Sequence, residues 1–252
     1  MASPNFQLFT SLRYDPHLTK LSINTESWDG DIKFRSPFYI LAHHRDRMLQ
    51  AAERFGWTVA AERIRGHDGF SCLIRKLEKS INLDNETRPL RVKVLLSKEG
   101  EITVEKGPTP EVRQTNLFPS KIPPSKGEAE GKMEVSPLTG GALMVGEGDS
   151  VGGDPEMVNV WEVLLDTVRI KPSPYTSYKT TERDMYTKAR ERVGIKGFAE
   201  KREVLIVSEH DGEIMEGSLT SVFFWRDGKW TTPPVSSGGQ VGTTRRLALE
   251  KG

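Results

Sequence analysis

Alternating and helical patterns of apolar residues divide the first half of the chain into strands and helices. Apolar positions at helical spacing predict a helix over Ala42–Phe55, which Gly56 would end, and a second helix over Asp68–Lys79. Apolar and β-branched stretches predict four strands, the last two as a hairpin: Phe6–Tyr14, Pro37–Leu41, Leu90–Ser97 and Ile102–Lys106. This half therefore predicts an α+β unit.

Proline, glycine and acidic residues interrupt the pattern between Gly107 and Asp154, which predicts a loop and linker with one short strand near Ala142–Val145. The second half returns to regular elements: a strand over Val158–Ile170, a helix over Thr181–Val193, a strand over Glu203–Ser208, a hairpin of Leu219–Trp225 with Lys229–Thr232, and a last helix that begins near Thr243. We therefore expect a small α+β domain over residues 1–118, a linker over 119–156 and a second domain over 157–252.

Composition narrows the class of protein. The 36 Lys and Arg nearly balance the 35 Asp and Glu, and they form no long run of one sign, so the charge indicates neither a nucleic-acid partner nor an anionic membrane surface. No apolar stretch approaches the roughly 18 residues that span a bilayer, and residues 1–15 lack a targeting pattern. The single cysteine, Cys72, excludes an internal disulfide, and the five His do not have metal-ligand spacing. These features predict a cytoplasmic protein without a metal site.

Three features of the second half could carry chemistry. Lys179 precedes a predicted helix, Glu216 ends a short predicted strand, and a glycine-rich turn over 238–242 leads into the last helix. A desolvated lysine can form a Schiff base, a carboxylate can pair with a protonated ring nitrogen, and helix-opening glycines expose N–H groups to a phosphate. Each feature alone is far more often an ordinary surface residue or turn.

Taken together, these motifs resemble those of the fold-type IV pyridoxal-phosphate enzymes, also called class IV aminotransferases. Glu216 follows Lys179 by 37 residues, and Thr244 follows Glu216 by 28, as in that family. Upstream, the sequence from Ala42 to Met48 is similar to the family's His-x-x-Arg-Leu helix start, which places the arginine at Arg47. The similarity extends from about residue 6 to residue 250.

The resemblance implies a fold class: a two-domain α+β fold with a small α/β domain and a larger β-rich domain. It also implies a homodimer. Relative to the family, the sequence begins almost directly at Phe6 and stops inside the helix after Thr244. We therefore expect a fold that is shortened at both ends.

The resemblance also implies pyridoxal 5'-phosphate as the cofactor and assigns roles to the motifs. Lys179 would bind the cofactor as a Schiff base and act as acid and base, Glu216 would bind the ring nitrogen, and Arg47 would contact the phosphate. The other positions expected to bind the cofactor are Ser218, Leu219, Thr220, Gln240, Gly242, Thr243 and Thr244. Gln240 occupies the position where the family usually has a leucine.

Within the family, two stretches resemble 4-amino-4-deoxychorismate lyases. Residues 9–13 are similar to their Phe-Thr-Thr-x-Arg strand, and residues 179–183 are similar to their Lys-Thr-x-x-Arg. The implied reaction converts 4-amino-4-deoxychorismate to 4-aminobenzoate and pyruvate for folate synthesis.

The N-terminal strand supplies the expected substrate contacts. By alternation, Phe9, Ser11 and Arg13 share one face, and Thr10 lies on the other. Arg13 would hold a substrate carboxylate by a bidentate contact, with a surface ion pair as the alternative. Thr10 or Ser11 would return a proton to the departing enolpyruvate.

Two alternative functions share the same residues. A class IV aminotransferase acting on branched-chain amino acids, D-amino acids or amines would use the same Lys179 and Glu216, and an α-keto acid would serve as its amino acceptor. A non-catalytic member of the family, kept as a binding or scaffold protein, is the second alternative.

Overall fold

The computed structural model describes residues 5–26, 35–83, 85–119, 132–135, 142–145, 161–197 and 200–251. The chain divides into two compact units. The first unit comprises Met1–Glu111, Ser173–Arg183 and Gln240–Gly252, and the second comprises Val112–Pro172 and Asp184–Gly239. The mixed α+β fold class is confirmed. The three continuous segments expected from the sequence stay a prediction.

Helices and strands both occur throughout the described residues. The α-helices are α1 (Ser22–Glu26), α2 (Leu41–Arg54), α3 (Thr58–Ile64), α4 (Gly66–Ile81), α5 (Gln114–Leu117), α6 (Pro174–Ser177), α7 (Asp184–Arg192) and α8 (Thr243–Lys251). The strands are β1 (Leu8–Tyr14), β2 (Leu90–Leu96), β3 (Ile102–Pro108), β4 (Lys132–Val135), β5 (Ala142–Val145), β6 (Glu162–Ile170), β7 (Arg202–Ser208), β8 (Ile214–Gly217), β9 (Phe224–Arg226) and β10 (Lys229–Thr231). Short 3₁₀ turns occupy Pro16–Lys20 and Val235–Ser237.

The first unit is built on an antiparallel sheet with the strand order β1-β2-β3. Its apolar face carries Leu8, Leu12 and Tyr14 of β1, all at most 2% exposed, together with Val92 and Val94 of β2. Alternation places Thr10 in the same row of β1, where it is the polar exception. The predicted strand and hairpin are confirmed here.

Helices α2, α3 and α4 provide the other half of this core. The large buried side chains of α4 are Phe70, Leu73, Leu77 and Ile81, whose spacing of three or four residues forms one apolar stripe. Each such side chain contributes about 1.5–3 kcal/mol by leaving water. The predicted helices over α2 and α4 are confirmed, whereas α3 was not predicted.

The strand predicted over Pro37–Leu41 is wrong, because the chain turns there instead. Phe38 forms only an isolated bridge to Tyr14, and Ile40 has left-handed backbone angles of φ 39° and ψ 46° before α2 begins. The buried side chain of Asn24 fixes this turn by accepting from the Ile40 N–H at 2.9 Å and donating to the Phe38 carbonyl at 3.1 Å. The apolar residues 37–41 therefore form a turn that leads into α2 and do not form a strand.

A later stretch of the chain adds to the edge of β1. The Phe9 N–H donates to the Lys179 carbonyl and the Thr181 N–H donates to the Gln7 carbonyl, both at 2.9 Å. Residues 179–181 are therefore extended, and the helix predicted from Thr181 begins only at Asp184. Backbone pairing with β1 overrides the local helical pattern at this point.

The second unit contains a three-stranded sheet in which β7 pairs in parallel with β6 and antiparallel with β8. Helix α7 packs on this sheet through Tyr186 and Ala189, which join Val204, Ile206 and Met215 in a small core. The strand prediction over β7 is confirmed. The strand predicted over Val158–Ile170 is observed from Glu162, and residues 158–160 lie outside the described residues.

Two hairpins complete the second unit. Strands β9 and β10 pair across Asp227 and Gly228, whose φ values of 51° and 74° are those that a two-residue hairpin turn requires. The predicted strand over Leu219–Trp225 is shorter than expected, because residues 218–220 form a turn rather than strand. The short strand expected at β5 is confirmed and pairs with β4, and most of the remaining predicted linker lies outside the described residues.

No helix among the described residues is long and apolar enough to cross a membrane. No group of three or more His, Cys, Asp or Glu side chains among them is arranged to hold a metal ion.

Candidate active site

Lys179 lies in the first unit, beside strand β1. Its carbonyl accepts the backbone hydrogen bond from Phe9, and its ammonium nitrogen lies 5.4 Å from the centroid of the Phe9 ring. The side chain is half-buried. Because the backbone is hydrogen-bonded to β1, the Lys179 side chain starts from a fixed point beside that strand.

Thr10, next to Phe9, connects β1 to helix α2. The Arg47 Nη2 donates to Thr10 Oγ1 at 2.6 Å, and the same oxygen lies 2.6 Å from His44 Nδ1. All three side chains are buried. His44 and Arg47 are three residues apart on α2, so they lie on the same face of the helix. That face meets the one polar residue in the apolar row of β1.

The pKa of His44 indicates that positive charge is concentrated around Thr10 and Arg47. Burial lowers its pKa well below the ordinary value of 6.5, and the charges of Arg47, Lys179 and His43 lower it further. The imidazole is therefore neutral, and the surrounding potential is positive. A buried arginine, an amine and hydroxyl donors in a positive potential form a donor set that fits a phosphorylated aldehyde such as pyridoxal 5'-phosphate.

The predicted phosphate turn belongs to the same unit from Gln240 onward. Helix α8 begins at Thr243, which is buried and has its Oγ1 3.4 Å from His44 Nε2. The Val241 N–H donates to the Ser177 carbonyl at 3.1 Å, which attaches the turn to the stretch before Lys179. Thr244 is exposed and Gln240 is half-buried. The N-terminus of α8 is thus placed beside the buried polar face of α2.

Ion pairs hold α8 against α2. Arg246 donates to Asp46 at 2.9 Å and to Glu250 at 2.7 Å, and Glu250 also contacts the buried His43 Nε2 at 2.7 Å. Burial alone would raise the pKa of Glu250, but the hydrogen bonds from Arg246 and His43 lower it overall. These contacts fix the helix that carries Thr243.

The second unit holds Glu216 near the end of β8. Glu216 is 8% exposed, and its Oε1 accepts a hydrogen bond of 2.5 Å from the phenol of Tyr186 on α7. A buried carboxylate with one oxygen engaged in this way has a fixed orientation and is suited to receive a second donor.

The turn after Glu216 is organised by a second buried carboxylate, Glu203. Its oxygens accept from the Ser218 hydroxyl at 2.6 Å, the Leu219 N–H at 3.2 Å and the Thr220 hydroxyl at 2.9 Å. A Cβ at Gly217 would lie 2.4 Å from Thr220 Oγ1 and 2.9 Å from Glu203 Oε2, so any larger residue there would displace these two side chains. The hydroxyls of Ser218 and Thr220, expected to bind the cofactor, donate to Glu203 in this structure.

The other expected site residues lie on β1. Arg13 is 4% exposed, and its guanidinium contacts Asp15 at 2.9–3.0 Å and donates to the Pro110 carbonyl at 2.8 Å. Ser11 is half-buried. The roles of Arg13 and Ser11 toward a substrate remain predictions.

Sequence reasoning missed three residues that shape these sites: His44, Tyr186 and Glu203. The His-x-x-Arg motif distinguishes His44 from its neighbour His43, but only the fold shows that His44 faces Thr10. Tyr186 and Glu203 are distant in sequence from Glu216 and Ser218. A single polar residue in an otherwise apolar strand row was the available signal, and Thr10 is that residue.

Comparison with known proteins connects these features to a family. A family model described as amino-transferase class IV matches residues 31–252. Among curated proteins, the chain is 28% identical over 199 residues to an aminodeoxychorismate lyase from Saccharomyces cerevisiae. The match includes 73% of this chain and 48% of that protein, so the chain spans about half the length of that relative.

Solved structures show the same fold at low sequence identity. A protein from Mesorhizobium loti, provisionally assigned as an amino-acid aminotransferase, matches with a TM-score of 0.59 and 20% identity over 98% of this chain and 84% of that one. A hypothetical aminotransferase from Mycobacterium tuberculosis in its PLP-bound form matches with a TM-score of 0.54 and 14% identity, over 97% of this chain and 66% of that one.

Proposed function

Because the chain belongs to the class IV aminotransferase family, we propose that it is a pyridoxal-phosphate enzyme that converts 4-amino-4-deoxychorismate to 4-aminobenzoate and pyruvate. The observation that carries this proposal is the buried polar cluster of the first unit. There, Arg47 donates to Thr10, and the charges of both Arg47 and Lys179 act on the neutral His44.

The residues of the first unit would hold the cofactor at its two ends. The Lys179 amine would bind the aldehyde carbon, while Arg47 and Thr243 would donate to the phosphate. The family resemblance assigns the ring nitrogen to Glu216, whose carboxylate accepts a hydrogen bond from Tyr186. When bound, pyridoxal phosphate supplies an electron-withdrawing ring that stabilises negative charge on the substrate.

The family resemblance also assigns the proton transfers of the reaction to residues of this chain. Lys179 would remove a proton from the substrate ring carbon that carries the amine, which allows the ring to become aromatic as the enolpyruvyl group leaves. Thr10 or Ser11 would return a proton to the departing group, which is released as pyruvate. Arg13 would bind one of the two substrate carboxylates, and Asp15 would hold its guanidinium in place.

The substrate assignment rests on the curated relative and on two sequence stretches. The yeast relative is an aminodeoxychorismate lyase, and residues 9–13 and 179–183 of this chain resemble the lyase motifs. The protein from Mycobacterium tuberculosis binds PLP, which supports the choice of cofactor for a chain with the same fold.

The deciding experiment incubates the purified protein, supplied with pyridoxal phosphate, with 4-amino-4-deoxychorismate and follows 4-aminobenzoate fluorescence. We expect product formation that is lost in Lys179→Ala and retained in Lys188→Ala, where the lysine is exposed on α7. A parallel assay supplies an amine donor and pyruvate. Transamination without 4-aminobenzoate would replace the lyase with an aminotransferase, and failure of the protein to bind pyridoxal phosphate would refute both.

The same proposal includes a cytoplasmic homodimer that serves folate synthesis. Light scattering after size-exclusion chromatography measures the assembly directly, and a monomeric mass for the active protein would refute that part alone.

A further inference from the structure

The hydrogen bonds around Thr10 determine where its proton lies. Arg47 has no acceptor atom, so its Nη2 must donate and Thr10 Oγ1 must accept that bond. Thr10 is 1% exposed, and among the described residues its hydroxyl has one further neighbour, His44 Nδ1 at 2.6 Å. A buried hydroxyl that donates to no acceptor destabilises the fold by the full cost of removing it from water. The Thr10 proton therefore points to Nδ1.

The direction of this bond fixes the protonation of the imidazole. A nitrogen that accepts cannot carry a proton, and a neutral imidazole carries its single proton on the other nitrogen. The proton of His44 is therefore on Nε2, which faces Thr243 Oγ1 at a longer distance of 3.4 Å. A neutral ring can accept from only one of the two buried hydroxyls, and the shorter contact, that of Thr10, is the one in which the ring accepts. Thr243 Oγ1 therefore accepts from His44, and the Thr243 proton is available to a ligand.

We propose that His44 is a positioning residue whose Nε2–H tautomer, set by Arg47 through Thr10, directs the Thr243 hydroxyl proton toward the cofactor phosphate. The assignment of a phosphate to Thr243 rests on the proposed function, whereas the tautomer of His44 does not. The chain of bonds runs in one direction, from Arg47 through Thr10 and His44 to Thr243. It couples two groups expected at the phosphate, although their side chains do not bond each other.

The charges around the ring are consistent with a fixed neutral state. Besides burial, the groups that lower the pKa of His44 are Arg47 and His43 on its own helix and Lys179 in the stretch beside β1. A second proton on the imidazole would be placed among these charges and would remove the acceptor that Thr10 needs.

The first test reads the tautomer in the wild-type protein without cofactor. Long-range ¹H–¹⁵N correlation spectra of protein labelled at its five histidines distinguish Nδ1–H, Nε2–H and doubly protonated rings. His44→Gln identifies the His44 signals. We expect the Nε2–H pattern from pH 8 down to pH 5.5. An Nδ1–H pattern, or a doubly protonated ring at pH 5.5, would overturn the proposal.

The second test separates positioning of the phosphate donor from a structural role. Pyridoxal and pyridoxal phosphate both react with a lysine, but only the second has a phosphate. In His44→Asn, whose amide can replace Nδ1 but does not reach Thr243, we expect about tenfold weaker binding of pyridoxal phosphate and unchanged binding of pyridoxal. Thr243→Val should show the same selectivity.

The outcomes of the second test separate two failures. An equal loss of affinity for both aldehydes in His44→Asn would show that the residue only supports the fold, and the proposal would fall. If the wild-type protein binds neither aldehyde while the Nε2–H tautomer is observed, the proposed function fails and the orientation of His44 is retained.

Discussion

The phenol of Tyr186 donates a hydrogen bond of 2.5 Å to Oε1 of Glu216, and both side chains are buried in the second unit. A carboxylate expected to bind a ring nitrogen is thereby held by a residue on a neighbouring helix. Both Tyr186 and Glu216 make further contacts, so this bond is one part of a larger set.

Tyr186→Phe tests the contribution of this bond with little change in volume. Because the Glu216 carboxylate loses a donor, we expect the free energy of unfolding to fall by about 1.5–3 kcal/mol. Urea denaturation measures the loss. Tyr175→Phe is the matched control, because the described residues give the Tyr175 hydroxyl no hydrogen-bond partner. Equal losses in the two variants would contradict the assignment.

Glu203 should be essential to the turn that follows Glu216. Glu203→Gln replaces one of the two acceptor oxygens by an NH₂ group. That group then faces either the Ser218 hydroxyl, which donates to Oε1, or the Leu219 N–H and the Thr220 hydroxyl, which donate to Oε2. We expect a loss of about 3 kcal/mol in the free energy of unfolding, since buried donors lose their acceptor. Thermal unfolding checks this, with the exposed Glu209→Gln as a control near the wild-type value. A midpoint for Glu203→Gln as high as that of the control would show that the turn does not depend on the carboxylate.

Arg13 and Asp15 should behave as a coupled buried pair in the absence of any substrate. Arg13→Ala leaves the buried Asp15 carboxylate without its guanidinium, and we expect it to cost about 3–5 kcal/mol. In the double variant Arg13→Ala/Asp15→Asn, removal of the charge should restore part of that stability. A double-mutant cycle by urea denaturation measures the coupling, and additive losses would argue against the pair.

Stability should decrease below neutral pH because of His44. An unfolded histidine has a pKa near 6.5, whereas burial and nearby cations keep the folded pKa of His44 well below that. Below about pH 6.5 the unfolded state therefore binds the additional proton, and the free energy of unfolding falls as pH falls, by about 1.4 kcal/mol per pH unit until the folded pKa is reached.

Urea denaturation at pH 7.5 and pH 5.5 measures this dependence. His44→Gln should show a smaller decrease than the wild type, and His67→Gln, which alters an exposed histidine, should retain the full decrease. If His44→Gln and the wild type lose the same amount of stability between the two values, the buried histidine is not the source.

The spacing of apolar residues predicted the helices and strands that depend on neighbouring residues in the sequence. It failed where a contact with a distant residue determines the backbone conformation. Helix α4 was predicted because its apolar stripe is visible in the sequence. The Pro37–Leu41 strand was wrong because Asn24, which lies outside that stretch, holds the turn at Ile40. The late start of α7 has the same kind of cause, since residues 179–181 pair with β1.

The residues of the candidate site also fall into two groups, those that the sequence predicted and those that it did not. Lys179, Glu216 and Arg47 were predicted because a family resemblance marks their positions. The residues that orient the site were not, because the partnership of His44 with Thr10 or of Glu203 with Ser218 exists only after the strands and helices have packed. Spacing along the chain carries no signal for such pairs.

The hydrogen bond between Phe9 and Lys179 joins two residues that are far apart in the chain, and the contact between His43 and Glu250 spans an even greater separation. Contacts of this range form late, since a long loop must close before any of their energy is gained. During synthesis, β1 and α2 emerge first, yet α8 is translated only at the far end of this sequence. The surface of α2 that carries His43 must therefore stay uncovered by α8 through most of translation. The ion pairs between α2 and α8 can therefore form only after residues 240–251 have been made.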